Sequence, residues 1–217
     1  MLDTLIAAED TELYSVADAR TRLGLPEDPR IDAILGWLVV EATAAIHGYL
    51  ARVLARQRYL EVLESDGEIT LHLGRFPVET EDLVVRRDGE VIEGGRILDA
   101  RAGVLYLEGG FPSTAPHRYE GRFASYRFEE EPNPEIEVEY WAGYDLAEGP
   151  ADGRYALPAS YSRAAWLTVK AWWERDQRSL DLVKEEGQHV MLQYARGSEG
   201  LALPADAAAL LDLEDPT

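Results

Sequence analysis

The stretch from Asp28 to about Ala55 constrains this chain more than any other, because it reads as one long helix that is apolar on two opposite sides. Asp28 is placed to cap it and Pro29 to start its first turn. At helical spacing Ile31, Ile34, Leu35, Leu38, Ala42, Ala45, Ile46, Tyr49 and Val53 form a core stripe, while Trp37, Val40, Ala44, Gly48 and Ala51 lie across from it. A helix with two apolar faces needs cover on both. Either it runs through the middle of a single-chain bundle, or its second face packs on a neighbouring subunit. The small residues Ala44, Gly48 and Ala51 would then let backbones approach. Few other helices are predicted to supply an internal partner, which favours the neighbour.

Around that helix the chain reads as α+β, a helical bundle with an inserted antiparallel β-sheet or small sandwich. A short helix is predicted over Ser15–Leu23, with Ser15 as N-cap and Gly24 at the left-handed C-cap position. From Arg58 to Trp141 the period changes to two. Tyr59–Leu63 and Glu68–Leu73 are expected to form a hairpin through Ser65-Asp66-Gly67. Leu83–Arg87 and Glu90–Ile92 flank Asp88-Gly89, the strongest short hairpin signal. Further strands are expected at Val104–Leu107, Arg122–Phe128 and Glu135–Trp141, with Gly94-Gly95 and Gly109-Gly110 as turns. Leu157-Pro158 opens a third helix to about Arg178, whose core face is Tyr161, Ala164, Ala165, Thr168 and Trp172. Trp166, Val169 and Trp173 make a second stripe beside it. The expected division is a helical core of residues 14–57 with 157–178, a β insertion over 58–142 and a C-terminal tail over 179–217. In that tail Leu201, Leu203, Leu210, Leu211 and Leu213 are too apolar a cluster for a frayed end, which predicts docking.

Charge narrows the function classes. With 41 acidic against 21 basic residues the net charge is -20, so nucleic-acid phosphates are repelled. There is no cysteine, hence neither a disulfide framework nor a thiolate ligand or nucleophile. Met1–Leu5 lacks the basic start and apolar run of a signal peptide, and Glu41 and His47 interrupt the most apolar window, which reads as a buried helix rather than a membrane span. His47, His72, His117 and His189 stand alone, without metal-ligand spacing. Gly197–Gly200 lacks the strand-turn-helix setting of a nucleophile elbow. The expectation is a protein that is not an enzyme and holds no cofactor and no metal.

The order of parts carries a resemblance. Tyr14-Ser15-Val16-Ala17-Asp18-Ala19-Arg20 with Leu23, Ile31–Leu35, Glu41–Ile46, Val138-Glu139-Tyr140-Trp141-Ala142-Gly143-Tyr144, Leu157-Pro158, Ala171–Arg175 and the tail Leu203–Leu211 follow one another as in the phage head–tail connector proteins. These are the adaptor, or head-completion, proteins of long-tailed phages and gene transfer agents. The loop from Phe111 to Pro134 and the stretch after Ser179 are longer than that pattern. The resemblance implies a ring of this chain, with twelve copies expected, seated below the portal protein in the virion neck after assembly in the bacterial cytoplasm. The ring would extend the channel through which double-stranded DNA passes without specific binding, and would meet the next neck or tail component; no membrane is involved. Trp37, Val40, Ala44, Gly48, Ala51, Trp166 and Trp173 are the expected subunit interface. Leu201, Leu203, Leu210 and Leu211 are the expected portal contact, so that deletion from Leu201 onward should abolish portal binding while leaving the fold intact. The alternatives are a tail-completion or other neck protein and, in a different class, a carbohydrate- or peptide-binding module with Trp141, Tyr144, Trp166 and Trp173 as an aromatic platform.

Overall fold

The computed structural model describes residues 1–65, 67–112, 134–146, 153–185 and 202–214, with the side chains of the third helix described to residue 176. The elements run β1 (Leu2–Ile6), α1 (Val16–Leu23), α2 (Pro29–Tyr49), β2 (Gln57–Glu64), β3 (Thr70–His72), β4 (Val84–Arg87) and β5 (Glu90–Val91). They continue with β6 (Gly95–Asp99), β7 (Val104–Leu107), β8 (Glu135–Ala142), α3 (Ala159–Glu185) and α4 (Ala205–Asp212). The combination is α+β. The chain divides into two compact units, a β unit of Met1–Glu9 and Ala55–Ala156 and a helical unit of Asp10–Leu54 and Leu157–Thr217.

In the β unit, five antiparallel strands order as β1-β2-β8-β4-β5 and three more as β3-β7-β6. Strict alternation along β8 buries Ile136, Val138, Tyr140 and Ala142. They meet Tyr59 and Val85 from the same sheet, Leu105 and Leu107 from the other, and Leu73, Val78 and Phe111 from loops, so the two sheets share one core. The Asp88-Gly89 hairpin is as expected: β4 pairs with β5 at Arg87↔Glu90, and both turn residues have positive φ. Val104–Leu107 and the last strand also stand where alternation puts them.

The hairpin expected between Tyr59–Leu63 and Glu68–Leu73 does not form. β2 uses both of its edges, on β1 and on β8, and β3 pairs instead with β7. Alternation identifies a strand but does not name its partner. Two strands were missed. β1 is an exposed edge strand tied to β2 by backbone bonds, and Gly95 opens β6 rather than closing a turn. The strand expected at Arg122–Phe128 lies outside the described residues.

In the helical unit, the end signals of α1 act as read. Ser15 Oγ accepts from Asp18 N at 3.0 Å, and Gly24 takes φ 66° to turn the chain out of the helix. Asp28 caps α2 through Arg30 N at 2.8 Å. Arg20 reaches both carboxylate oxygens of Asp32, at 3.0 and 2.8 Å, joining α1 to α2.

α2 ends at Tyr49, six residues short of the expected Ala55, because Ala51 adopts φ 52° and breaks the helical path. Its buried side is Leu35, Leu38, Val39, Ala42, Thr43 and Ile46. Ile34 and Tyr49, expected in the core stripe, face outward instead, and Val39 and Thr43 take their place. α2 is long and apolar enough to cross a membrane by length and composition, yet this buried side belongs to the core of the unit. α3 buries the expected Tyr161, Ala164, Ala165, Thr168 and Trp172, and also Val169, and runs past the expected Arg178 to Glu185.

Candidate assembly surface

Among the described residues of the helical unit, the outward side of α2 exposes a run of apolar side chains. Ile34 is 48% exposed, Trp37 53% and Val40 50%, and Ala44 and Gly48 are exposed one and two turns further on. At 3.6 residues per turn these five fall within about 120° of arc. The rotation that sends Ile34 and Tyr49 outward makes this face broader than the sequence suggests. Gly48 has open space where a Cβ would sit, so nothing among the described residues requires its lack of a side chain. Ala51 is exposed but sits beyond the helix end, off the face on which periodicity placed it.

Beside this face lies a groove of about 500 Å³ lined by Glu41, Ala44, Ala45, Tyr49, Trp172, Leu203 and Ala208. It exists because α4 folds back onto the helical unit. Ala207 and Leu211 are fully buried, the Tyr49 hydroxyl donates to Asp212 Oδ1 at 2.7 Å, and Ser160 Oγ donates to Glu214 Oε1 at 2.8 Å. Of the residues expected to contact a portal, Leu211 is thus in the chain's own core. Leu203 and Leu210 are half-buried, and Leu201 lies outside the described residues. The structure brings Ala44 and Leu203, read from sequence as serving two different partners, into a single groove. No local signal could have shown this, since it depends on where α4 lands.

The aromatic residues are more committed than their spacing suggested. Trp166 is half-buried, with its ring centroid 5.8 Å from that of Tyr14 and the Arg22 guanidinium 5.6 Å away. Trp173 is half-buried as well. Trp141 in the β unit has the Arg56 guanidinium 3.7 Å from its ring centroid, and Arg56 in turn forks onto Glu79 at 2.6 and 2.8 Å. Glu139 on β8 joins Arg58 at 2.8 Å and Arg86 at 3.0 Å. The four residues considered as an aromatic platform are divided between the units, Trp141 and Tyr144 in one, Trp166 and Trp173 in the other.

Among the described residues no group of three or more His, Asp or Glu is arranged to hold a metal ion. Burial holds the His47 imidazole below its ordinary range, so it is neutral near pH 7. His72 is exposed on β3, and His117 and His189 lie outside the described residues.

The described residues thus combine an α+β fold, a broad exposed helix face and a shallow groove beside it. No protein-family model matches the sequence, and no curated protein matches it. Among solved structures the fold is similar to a chain in the neck of an empty GTA particle computed with C6 symmetry. The TM-score is 0.59 and the identity 21%, covering 100% of this chain and 96% of that one. It is also similar to a chain in the virion of a native gene transfer agent (GTA) particle, with TM-score 0.55 and 19% identity, covering 100% and 96%. At these identities what is shared is the fold, from end to end.

Proposed function

We infer that the chain is a structural subunit of a phage-type or gene-transfer-agent neck, which acts by assembling with copies of itself into a ring that joins head to tail. The observation that carries this reading is the exposed side of α2, where Trp37 and Val40 project beside Ala44 and Gly48. Apolar surface of this kind is costly on a lone molecule and marks a protein contact. A neighbouring copy buries it, and the small residues allow close approach of the backbones. Similarity to neck and virion chains along the full length supports the same conclusion.

In this reading the ring holds twelve copies, sits below the portal and continues the DNA channel. The net charge of -20 keeps the channel wall from gripping the passing duplex, because phosphates are repelled. Trp166 and Trp173 flank the subunit contact, and the half-buried Leu203 and Leu210 supply the portal contact; Leu201, also expected there, lies outside the described residues. A tail-completion role at the other end of the neck uses the same surfaces and differs only in which protein the ring meets.

The test is Trp37→Glu combined with Ala44→Glu, two exposed positions that the fold does not need. Particles assembled with this variant should show heads without attached tails by electron microscopy, while the purified variant keeps the circular dichroism of the parent. Normal necks in those particles would rule the reading out.

A further inference from the structure

The helical unit holds a second cavity, of about 690 Å³, lined by Tyr14 and Arg22 at one side and by Leu157, Ser162, Arg163 and Trp166 of the α3 region at the other. Its charge is opposite to that of the protein around it. In a chain with 41 acidic and 21 basic residues, basic side chains are readily paired: Arg20 with Asp32, Arg56 with Glu79, Arg58 and Arg86 with Glu139, and Arg154 with Asp145. Arg22 and Arg163 are both exposed, both line this cavity, and neither has a carboxylate within 4 Å among the described residues. Asp18, one turn before Arg22 on α1, accepts from the Ser15 hydroxyl at 2.8 Å.

Arg22 is also oriented. Its guanidinium lies 5.6 Å from the ring centroids of both Tyr14 and Trp166, while the side chain as a whole remains exposed. An arginine held in this way loses less freedom when a carboxylate arrives, and a two-pronged contact becomes cheaper to form. The Tyr14 hydroxyl is buried without a hydrogen-bond partner among the described residues. The walls at Leu157 and Trp166 are apolar, which suits the methylene stem of an acidic side chain.

We propose that this cavity is a docking site for an acidic peptide segment of a partner protein, whose carboxylates pair with Arg22 and Arg163 and whose side-chain stems lie against Trp166 and Leu157. A peptide fits better than a nucleic-acid strand. One or two carboxylates match two guanidiniums, whereas a polyphosphate backbone repeats its charge every few ångströms and would press unmatched phosphates against an acidic surface. The site lies on Tyr14, α1 and the start of α3 and uses none of the exposed α2 residues that carry the ring reading; Trp166 is the one residue it shares with the proposed subunit contact.

The experiment is fluorescence anisotropy with a fluorescein-labelled hexaglutamate peptide and the full chain, run beside a labelled single-stranded DNA of similar length. Saturable peptide binding is expected, weakened by at least about tenfold in Arg163→Gln and in Arg22→Gln, and reduced by raising the salt. Arg101→Gln, the same charge change at an exposed arginine of the β unit, should bind as the parent does. Absence of saturable binding, or equal loss in Arg101→Gln, overturns the site. Tighter binding of the DNA through the same two arginines overturns the peptide in favour of a nucleic acid. Arg163 makes no described contact that folding needs, so its variant decides the matter even if Arg22→Gln loosens the rings it covers.

Discussion

The Tyr140 hydroxyl donates to Glu61 Oε2 across 2.7 Å inside the β unit, joining the two central strands β8 and β2 through a carboxylate that is itself buried. Gly74 N completes the arrangement at 2.9 and 3.2 Å from the two carboxylate oxygens, which ties the loop after β3 to the first sheet. A buried carboxylate is tolerable only while its donors remain. Tyr140→Phe should therefore destabilise the protein by about 1–3 kcal/mol, seen as a lower urea midpoint with an unchanged slope.

The same pair predicts an alkaline signature. Burial, and after it the bond to Glu61, raises the Tyr140 hydroxyl far above its ordinary value of 10.0. The unfolded chain loses this proton as pH passes about 10, while the folded chain keeps it, so the unfolded state binds fewer protons and stability falls with rising pH. The contribution is complete below pH 10 and disappears above it. Unfolding free energy measured from pH 8 upward should fall less steeply above about pH 10 in Tyr140→Phe than in the parent. Parallel slopes would show that this hydroxyl carries no such linkage.

Ala51 holds φ 52° just past the end of α2, a conformation that suits glycine. It is exposed, so its methyl group contributes little packing. Ala51→Gly should stabilise the chain by about 1 kcal/mol, against the usual effect of introducing glycine. A thermal midpoint that rises by a few degrees is the expected result.

Leu211 is fully buried in the helical unit, and α4 is tied to α2 and α3 through Tyr49–Asp212 and Ser160–Glu214. Leu211→Ala should cost about 2–5 kcal/mol, as a cavity in a closed core does. Deletion from Leu201 onward should also lower the thermal midpoint, contrary to what the sequence implied. A truncated chain melting with the parent would show that α4 contributes nothing to the fold.

Arg56 combines a two-pronged bond to the buried Glu79 with stacking on Trp141. Lysine has the charge but neither the fork nor the flat surface. Arg56→Lys should lose about 1–3 kcal/mol by chemical denaturation, whereas Arg101→Lys at an exposed loop should be neutral.

What the sequence determined by itself was set by short-range chemistry. Ser15 and Asp28 start their helices because a side-chain oxygen two or three residues away meets an orphan N–H. Gly24 stops one, and Asp88-Gly89 turns a hairpin, because few residues tolerate positive φ. The two-sided apolar character of α2 was equally plain, since periodicity is a local property. The tertiary structure alone decided three things. It chose β8 rather than β3 as the partner of β2, rotated α2 so that Ile34 and Tyr49 face outward, and brought Leu211 home to its own core while leaving Ala44 and Leu203 to share a groove. Each of these depends on contacts between residues far apart in the chain, whose energies are comparable among many arrangements until the whole core closes around one of them.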